Sequence, residues 1–153
     1  MPNWVANNLD IEGDVEQLRK FAEYEEGKFF ENIMPLGEWD RSKSVEGWGT
    51  KWDVDPYHCE LDEESGVLSV SFDSAWAPPI NFYDYLQNKG FSVYASYYEP
   101  GQSFAGIYEN GEDRSYEEFN EGFFQTVDGT ELDACFAISE DLQSWDEEEE
   151  EEL

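Results

Sequence analysis

The sequence predicts a single α+β domain in which two helices pack on one face of an antiparallel sheet. Several short segments alternate apolar and polar residues with the period of a β-strand, and two others repeat apolar residues at helical spacing. These segments follow each other as strand, helix, strand, strand, helix, strand. With 153 residues, of which 17% are aromatic, the chain can bury a core within one domain.

The first two elements are a strand and a helix. Residues 4–11 alternate in character and predict the first strand. Asp14 then offers an N-cap, and the helical spacing that follows predicts a helix from Asp14 to Glu26, closed by Gly27. The stretch from 29 to 49 is irregular and rich in Pro and Gly, so we expect a long loop or a small insertion there.

The middle of the chain predicts a hairpin, a second helix and two more strands. Residues 57–61 and 67–74 form the hairpin, and Pro79 begins the second helix. Residues 91–98 and 103–108 are the strands that follow. This order is the split β-α-β, or ferredoxin-like, arrangement, here with an added hairpin strand.

The chain divides into a ferredoxin-like domain over residues 1–114, an acidic extension over 115–145 and a disordered acidic tail over 146–153. Residues 115–153 contain fifteen acidic residues and no Lys or Arg. Apolar residues spread through the extension predict that it packs on the domain, whereas the seven consecutive acids of the tail have nothing to anchor them.

The charge is the strongest compositional signal. There are 38 Asp and Glu against eight Lys and Arg, a formal charge of −30, which repels nucleic acid and anionic membranes. The sequence shows neither a membrane-spanning stretch nor a signal peptide, so we expect a soluble protein of the cytoplasm. Cys59 and Cys135 then predict two buried free thiols in a reducing compartment rather than a disulfide.

Residues for catalysis or metal binding are sparse. His58 is the only histidine, and strand alternation sends it to the opposite face from Cys59, which argues against a catalytic dyad. One His and two separated Cys do not make a structural zinc site, and the Asp53 and Asp55 pair predicts only weak, adventitious cation binding. With no Gly-rich phosphate loop either, we expect no enzyme activity, no metal and no cofactor.

Four stretches covering about residues 1 to 112 carry a resemblance to a known family. They are MPNWxxNxLxIxG from Met1, WGTKWD from Trp48, FxSAWAPP from Phe72 and YEPGQSFAG from Tyr98. In this order they resemble the Api92-like, or YubB-type, family of phages, plasmids and other bacterial mobile elements. The resemblance implies a ferredoxin-like sandwich with no settled activity, and it brings no catalytic residues.

Aromatic and polar residues from separate stretches define a candidate groove near one end of the sheet. They are Trp48, Lys51, Trp52, Trp76, Glu99 and Phe104. One interpretation is ordinary core and loop packing. The other is a small pocket or peptide groove lined by rigid rings, with Lys51 and Glu99 as its polar handles.

The acidity itself predicts a binding function. Acids at i and i+2 of a strand lie about 6.6–6.8 Å apart, so a folded surface can present fixed rows of negative charge like a nucleic-acid backbone. We therefore expect a non-catalytic DNA-mimic inhibitor from a phage or mobile element. It would occupy the positively charged, nucleic-acid-binding surface of a bacterial defence or host protein.

The predicted partner contacts are chosen by charge density in the late segment. They are Glu112, Asp113, Glu117, Glu118, Glu121, Asp128, Glu131, Asp133, Glu140 and Asp141. Three alternatives stay open. The chain is a specific inhibitor or adaptor that uses the aromatic groove without mimicking DNA, an acidic domain with a small-molecule or enzymatic role, or a protein whose acidity serves solubility in a salt-rich habitat.

Overall fold

The computed structural model describes residues 3–35, 47–50 and 52–142, and it shows an α+β protein. Lys51 and the predicted tail over 146–153 lie outside these residues. The described part contains an open, antiparallel sheet of six strands in the order β2-β3-β1-β4-β5-β6. The strands are β1 (Trp4–Glu12), β2 (His58–Asp62), β3 (Val67–Ala75), β4 (Ser92–Glu99), β5 (Phe104–Glu109) and β6 (Glu112–Tyr116).

Helices lie on both sides of this sheet. They are α1 (Val15–Phe21), α2 (Phe29–Ile33), α3 (Ile80–Asn88), α4 (Glu121–Phe124) and α5 (Val127–Phe136), and a further helical turn covers 138–142. The predicted hairpin and the helix that follows Pro79 are confirmed. The predicted boundary between residues 114 and 115 falls inside β6.

The inner face of the sheet carries the main core, beneath α1, α2 and α3. Alternate residues of β1 point to this face and are buried, among them Leu9 and Ile11. Phe30 of α2 and Phe82 of α3 stack above them with ring centroids 4.5 Å apart. This aromatic core fixes the strands below it, and so it fixes the side chains on the opposite, outer face.

Helix α1 is shorter than the sequence predicts. Asp14 is its N-cap, as expected, but the helix ends at Phe21 rather than near Glu26. The side-chain amide of Asn32 donates to the carbonyl oxygens of Lys20 and Phe21, at 3.0 and 3.4 Å. These carbonyls therefore have partners at the helix end, and the chain leaves the helical path there.

Helix α2 lies inside the stretch that the sequence pattern left irregular. Its five residues include the buried Phe29, Phe30 and Ile33. The Asp53 carboxylate accepts hydrogen bonds from the backbone amides of Phe30 and Glu31, at 2.7 and 3.0 Å. A distant carboxylate thus stabilises the first turn, which a search for a local cap does not detect.

A second, smaller cluster covers the β4, β5 and β6 half of the outer face. Ile107 packs there with Phe123 of α4 and Leu132 of α5. Hydroxyl groups of the sheet tyrosines also donate to carboxylates of this helical layer: Tyr94 to Glu131, Tyr98 to Asp141 at 3.0 Å and Tyr116 to Asp128 at 2.6 Å. Both cysteines are free thiols, but neither is buried as predicted: Cys59 is half-buried and Cys135 on α5 is exposed.

Candidate functional site

The uncovered part of the outer face presents a line of acidic side chains across the sheet. Strand pairing places six residues in one cross-strand line, in the order Glu60, Ser69, Asp10, Tyr94, Glu109 and Glu112. We call the four acids of this line, Asp10, Glu60, Glu109 and Glu112, the acidic row. Because neighbouring strands are about 4.8 Å apart, the row spans about 24 Å.

Two more acids widen the row on the β2 and β1 side. Asp62 and Glu12 lie two residues further along their strands, in a parallel line through Val67 and Ser92. The offset along each strand is about 6.7 Å. A depression of about 290 Å³ opens between these lines, with Asp10, Glu12 and Tyr94 in its wall.

The carboxylates of the row face solvent. The side chains of Glu60 and Glu112 are 77% and 70% exposed, and Asp10 is exposed while accepting a hydrogen bond of 2.8 Å from the Ser69 hydroxyl. The Glu131 carboxylate, held by the Tyr94 hydroxyl, lies beside the gap that Tyr94 leaves in the row. The sheet therefore holds the negative charges at fixed spacing in contact with solvent.

Few cations oppose this charge. The described residues include five Lys or Arg, and four of them, Arg19, Lys20, Lys28 and Lys89, belong to or cap the helices of the inner face. Arg114 of β6 lies on the outer face, 3.4 Å from Glu109 and 3.6 Å from Glu112. Its shortest contact, 2.7 Å, is with Asp128, so one guanidinium is divided among three carboxylates.

The predicted contacts in the late segment separate into two groups. Internal hydrogen bonds engage Asp113, Asp128, Glu131, Asp133 and Asp141. Glu117, Glu118, Glu121 and Glu140 are exposed, with no hydrogen bond or ion pair to the described residues, and Glu112 belongs to the acidic row. The sequence reasoning did not select Asp10, Glu60 or Glu109, although the alternation of β1 and β2 places Asp10 and Glu60 on the polar side of their strands.

The candidate groove does not come together as one site. Trp48 is buried, packs on Phe30 at 5.5 Å and donates to the Met34 carbonyl. Glu99 is also buried, and its carboxylate accepts the backbone amides of Gly101 and Gln102, both at 2.6 Å. These two residues therefore stabilise the core and the turn between β4 and β5. Lys51 lies outside the described residues.

The remaining groove residues have different surroundings. Trp52 contacts Trp4, with ring centroids 6.2 Å apart. Trp76 is 44% exposed and has a backbone φ of 71°. Phe104 instead lines a cleft of about 370 Å³ on the inner face, beside α3.

This inner cleft contains one titratable pair. The Tyr97 hydroxyl donates to the Asp113 carboxylate at 2.6 Å. Burial raises the pKa of Asp113, although the Tyr97 hydrogen bond opposes that shift, and burial also raises the pKa of Tyr97. Tyr97 therefore acts as a hydrogen-bond donor here, and the cleft wall combines Asp113 with mostly apolar and neutral side chains.

The residues considered above for catalysis and metal binding have ordinary structural contacts. His58 is exposed and its Nε2 lies 3.8 Å from the Glu60 carboxylate, whereas Cys59 points to the other side of β2. The Asp53 and Asp55 carboxylates accept backbone amides at the start of α2 and at Gly27. Within the described ranges, no group of three His, Cys, Asp or Glu is placed to hold a metal ion.

The helices of the described ranges include none that is long and apolar enough to cross a membrane.

Comparison of the chain with known protein families, curated proteins and solved structures gave no match. The site is therefore interpreted from its own geometry and charge.

Proposed function

We propose that this protein is a non-catalytic binder that docks its acidic outer face on a basic, nucleic-acid-binding surface of a bacterial protein, in place of DNA. The observation that carries the proposal is the acidic row, with Asp62 and Glu12 beside it. A rigid sheet presents the four charges of the row in a line of about 24 Å, and a DNA strand also presents its charges in a line, at a closer spacing of about 3.4 Å along its axis.

Charge complementarity favours a protein partner with a cationic groove. Lines of like charge repel nucleic acid and attract such a groove, and they accelerate association with it at low salt. Because the strands are fixed by the aromatic core, little ordering entropy opposes docking. The exposed row has the properties that binding requires, whereas the titratable pair of the inner cleft, Tyr97 and Asp113, is engaged in its own hydrogen bond.

The order of elements also supports a finer description of the fold. We propose that β1, α1, β2, β3, α3 and β4 form a ferredoxin-like core, since two strand-helix-strand units interleave in a sheet of order β2-β3-β1-β4. Strand β5 is then the added hairpin strand. This description of the fold agrees with the resemblance to the Api92-like family. We therefore also propose that the protein originates from a mobile element and acts in the cytoplasm of a bacterial host cell.

A competition experiment with matched variants tests the proposed function. Proteins of a bacterial lysate that bind a duplex-DNA column are eluted and offered to the immobilised protein. We expect it to retain at least one of them, to release it when free duplex DNA is added, and to lose affinity steeply with increasing salt. Retention that responds to neither DNA nor salt would reject mimicry.

Two quadruple variants locate the binding surface. The row variant carries Asp10→Asn, Glu60→Gln, Glu109→Gln and Glu112→Gln. The late-segment variant carries Glu117→Gln, Glu118→Gln, Glu121→Gln and Glu140→Gln, and so removes the same number of charges. We expect the row variant no longer to retain the lysate protein that duplex DNA releases. The late-segment variant is expected to retain it. Loss by the late-segment variant alone would move the interface to the late segment.

A further inference from the structure

The outer face carries exposed aromatic rings at the end of the sheet where β1 begins. This end is opposite the depression between the acidic lines. Trp4 belongs to the same face of β1 as Asp10 and Glu12, and it is 48% exposed. Its ring packs against Trp52 on one side. The exposed part of this ring is apolar surface on an otherwise polar face, and a partner can contact it.

A carboxylate lies next to Trp4 on the neighbouring strand. The register pairs Trp4 with Ala75 and Ala6 with Asp73, so Trp4 and Asp73 are diagonal neighbours on the outer face. Such neighbours are about 7–8 Å apart, within reach of an aromatic side chain. The Asp73 carboxylate makes no hydrogen bond or ion pair with the other described residues, and burial raises the pKa of its carboxyl.

Tyr57 lies on the other side of Asp73. It precedes β2, and its backbone amide donates to the Ser71 carbonyl of β3 at 3.0 Å. The Tyr57 side chain is 66% exposed, and after burial the Asp73 charge is the next cause that raises the pKa of its hydroxyl. Strand β3, which carries Asp73, lies between β2 and β1 in the sheet, so Asp73 belongs to the strand between the two aromatic residues, and its charge reaches the Tyr57 hydroxyl.

We infer that Trp4, Asp73 and Tyr57 form the receiving site for an arginine side chain of the basic partner, and that this site anchors the partner on the acidic face. This inference rests on the proposed function and names the chemistry that the partner must supply. An exposed carboxylate without a counter-ion attracts a cation, and apolar rings that exclude water nearby strengthen the attraction.

The same arrangement favours arginine over lysine. A guanidinium is planar, is less strongly hydrated than an ammonium and stacks on tryptophan and tyrosine rings. It can lie against a flat sheet face between two rings while its N–H groups donate to the Asp73 carboxylate. Basic surfaces that bind the DNA backbone and bases are rich in this side chain.

Titration with nona-arginine and nona-lysine peptides tests the inference, because the two peptides carry equal charge. We expect nona-arginine to bind the full chain about three- to ten-fold more tightly. Trp4→Ala and Tyr57→Ala are each expected to reduce that preference towards one, with little change in nona-lysine affinity. Trp4→Phe and Tyr57→Phe keep a ring and are expected to retain most of the preference.

Asp73→Asn and Glu117→Gln form a matched pair for the carboxylate, since each removes one exposed negative charge. Only Asp73→Asn is expected to lower the preference for nona-arginine. Equal binding of both peptides by the unmodified protein would overturn the inference. A preference that survives Tyr57→Ala and Trp4→Ala in variants with unchanged far-UV circular dichroism and unchanged thermal unfolding would overturn it as well.

The row variant separates this inference from the proposed function. It is expected to weaken binding of both peptides and to leave their ratio unchanged. If the row variant binds both peptides as tightly as the unmodified protein, the acidic row is not the binding surface and the proposed function fails. The ratio of the two affinities still decides on the arginine site in that case.

Discussion

Single residues show how closely the sheet and its polar network are coupled. Tyr97 of β4 crosses Gly106 of β5 to donate to the Asp113 carboxylate on β6. A Cβ atom on Gly106 would meet the Tyr97 hydroxyl end and would lie 2.6 Å from the Arg114 carbonyl oxygen. Glycine is therefore required for packing at this position. From the sequence alone, Gly106 is only a glycine within a strand, which weakens the strand.

Substitution of Gly106 tests this packing. Gly106→Ala is expected to lower the free energy of unfolding by about 2–3 kcal/mol, because Tyr97 and the β6 backbone must both move. Urea denaturation measures the change. The double variant Gly106→Ala and Tyr97→Ala removes the ring and is expected to cost less than the two single changes together. Additive costs would contradict the direct contact.

At the scale of elements, the helical layer of α4 and α5 is tied to the sheet by charged groups as well as by its apolar cluster. Arg114 of β6 makes two contacts with the Asp128 carboxylate of α5, at 2.7 and 3.2 Å. This pairing lowers the pKa of Asp128, and the hydrogen bond from Tyr116 acts in the same direction. The contacts join the last strand to the layer that covers it.

Removal of Arg114 is expected to loosen this layer. Arg114→Met keeps much of the apolar stem but leaves Asp128 without its cation, at an expected cost of about 1–2 kcal/mol in the free energy of unfolding. Hydrogen exchange should then accelerate in α4 and α5 and stay unchanged in α3. Arg114→Lys keeps the charge without the paired geometry. Its free energy of unfolding is expected to lie between those of the unmodified protein and Arg114→Met. Uniform acceleration across the protein would argue against a local role.

Elements with a strong local pattern are readily predicted from this sequence, and those fixed by distant partners are not. Alternation predicts β1 and the β2–β3 hairpin because their apolar residues face one core. Helix α2 is missed because Asp53 stabilises its first turn from about twenty positions away in the chain. The end of α1 is missed for the same reason, since Asn32 occupies its last carbonyls.

The acidic row is a property of the whole sheet. Asp10, Glu60 and Glu109 belong to strands far apart in the sequence, and they line up only through the successive pairing of β2, β3, β1, β4 and β5. Charge density along the chain selects the late segment instead, where several carboxylates accept hydrogen bonds from tyrosines. The sequence therefore predicts an acidic surface, but the line of carboxylates across the sheet follows only from the register of the paired strands.

Stability of the whole molecule should depend on pH in a defined direction. Burial raises the pKa of Asp53, Asp73 and Asp113 above the ordinary value of 3.8. The native state therefore binds these protons more tightly, and the stability they contribute is lost as pH rises through the raised values. Asp128, whose pKa is lowered, acts oppositely and loses its contribution only below its ordinary pKa.

Thermal unfolding between pH 4 and pH 8 measures this dependence. We expect the midpoint to be higher near pH 4 than at pH 8, by a few degrees for each kcal/mol of difference. Asp73→Asn together with Asp113→Asn should flatten the profile. The comparison is made in about 1 M salt, where general repulsion among surface charges is screened over about 3 Å. A midpoint that rises with pH across this range would contradict the assignment.

The central claim is that a fixed line of carboxylates on the outer face, and not the total charge, binds a polycation. Calorimetric titration of nona-lysine into the row variant and the late-segment variant measures this directly, because both lack four charges. We predict that the row variant loses at least about ten-fold in affinity at low salt and the late-segment variant less than about three-fold. Equal losses in the two variants would contradict the claim.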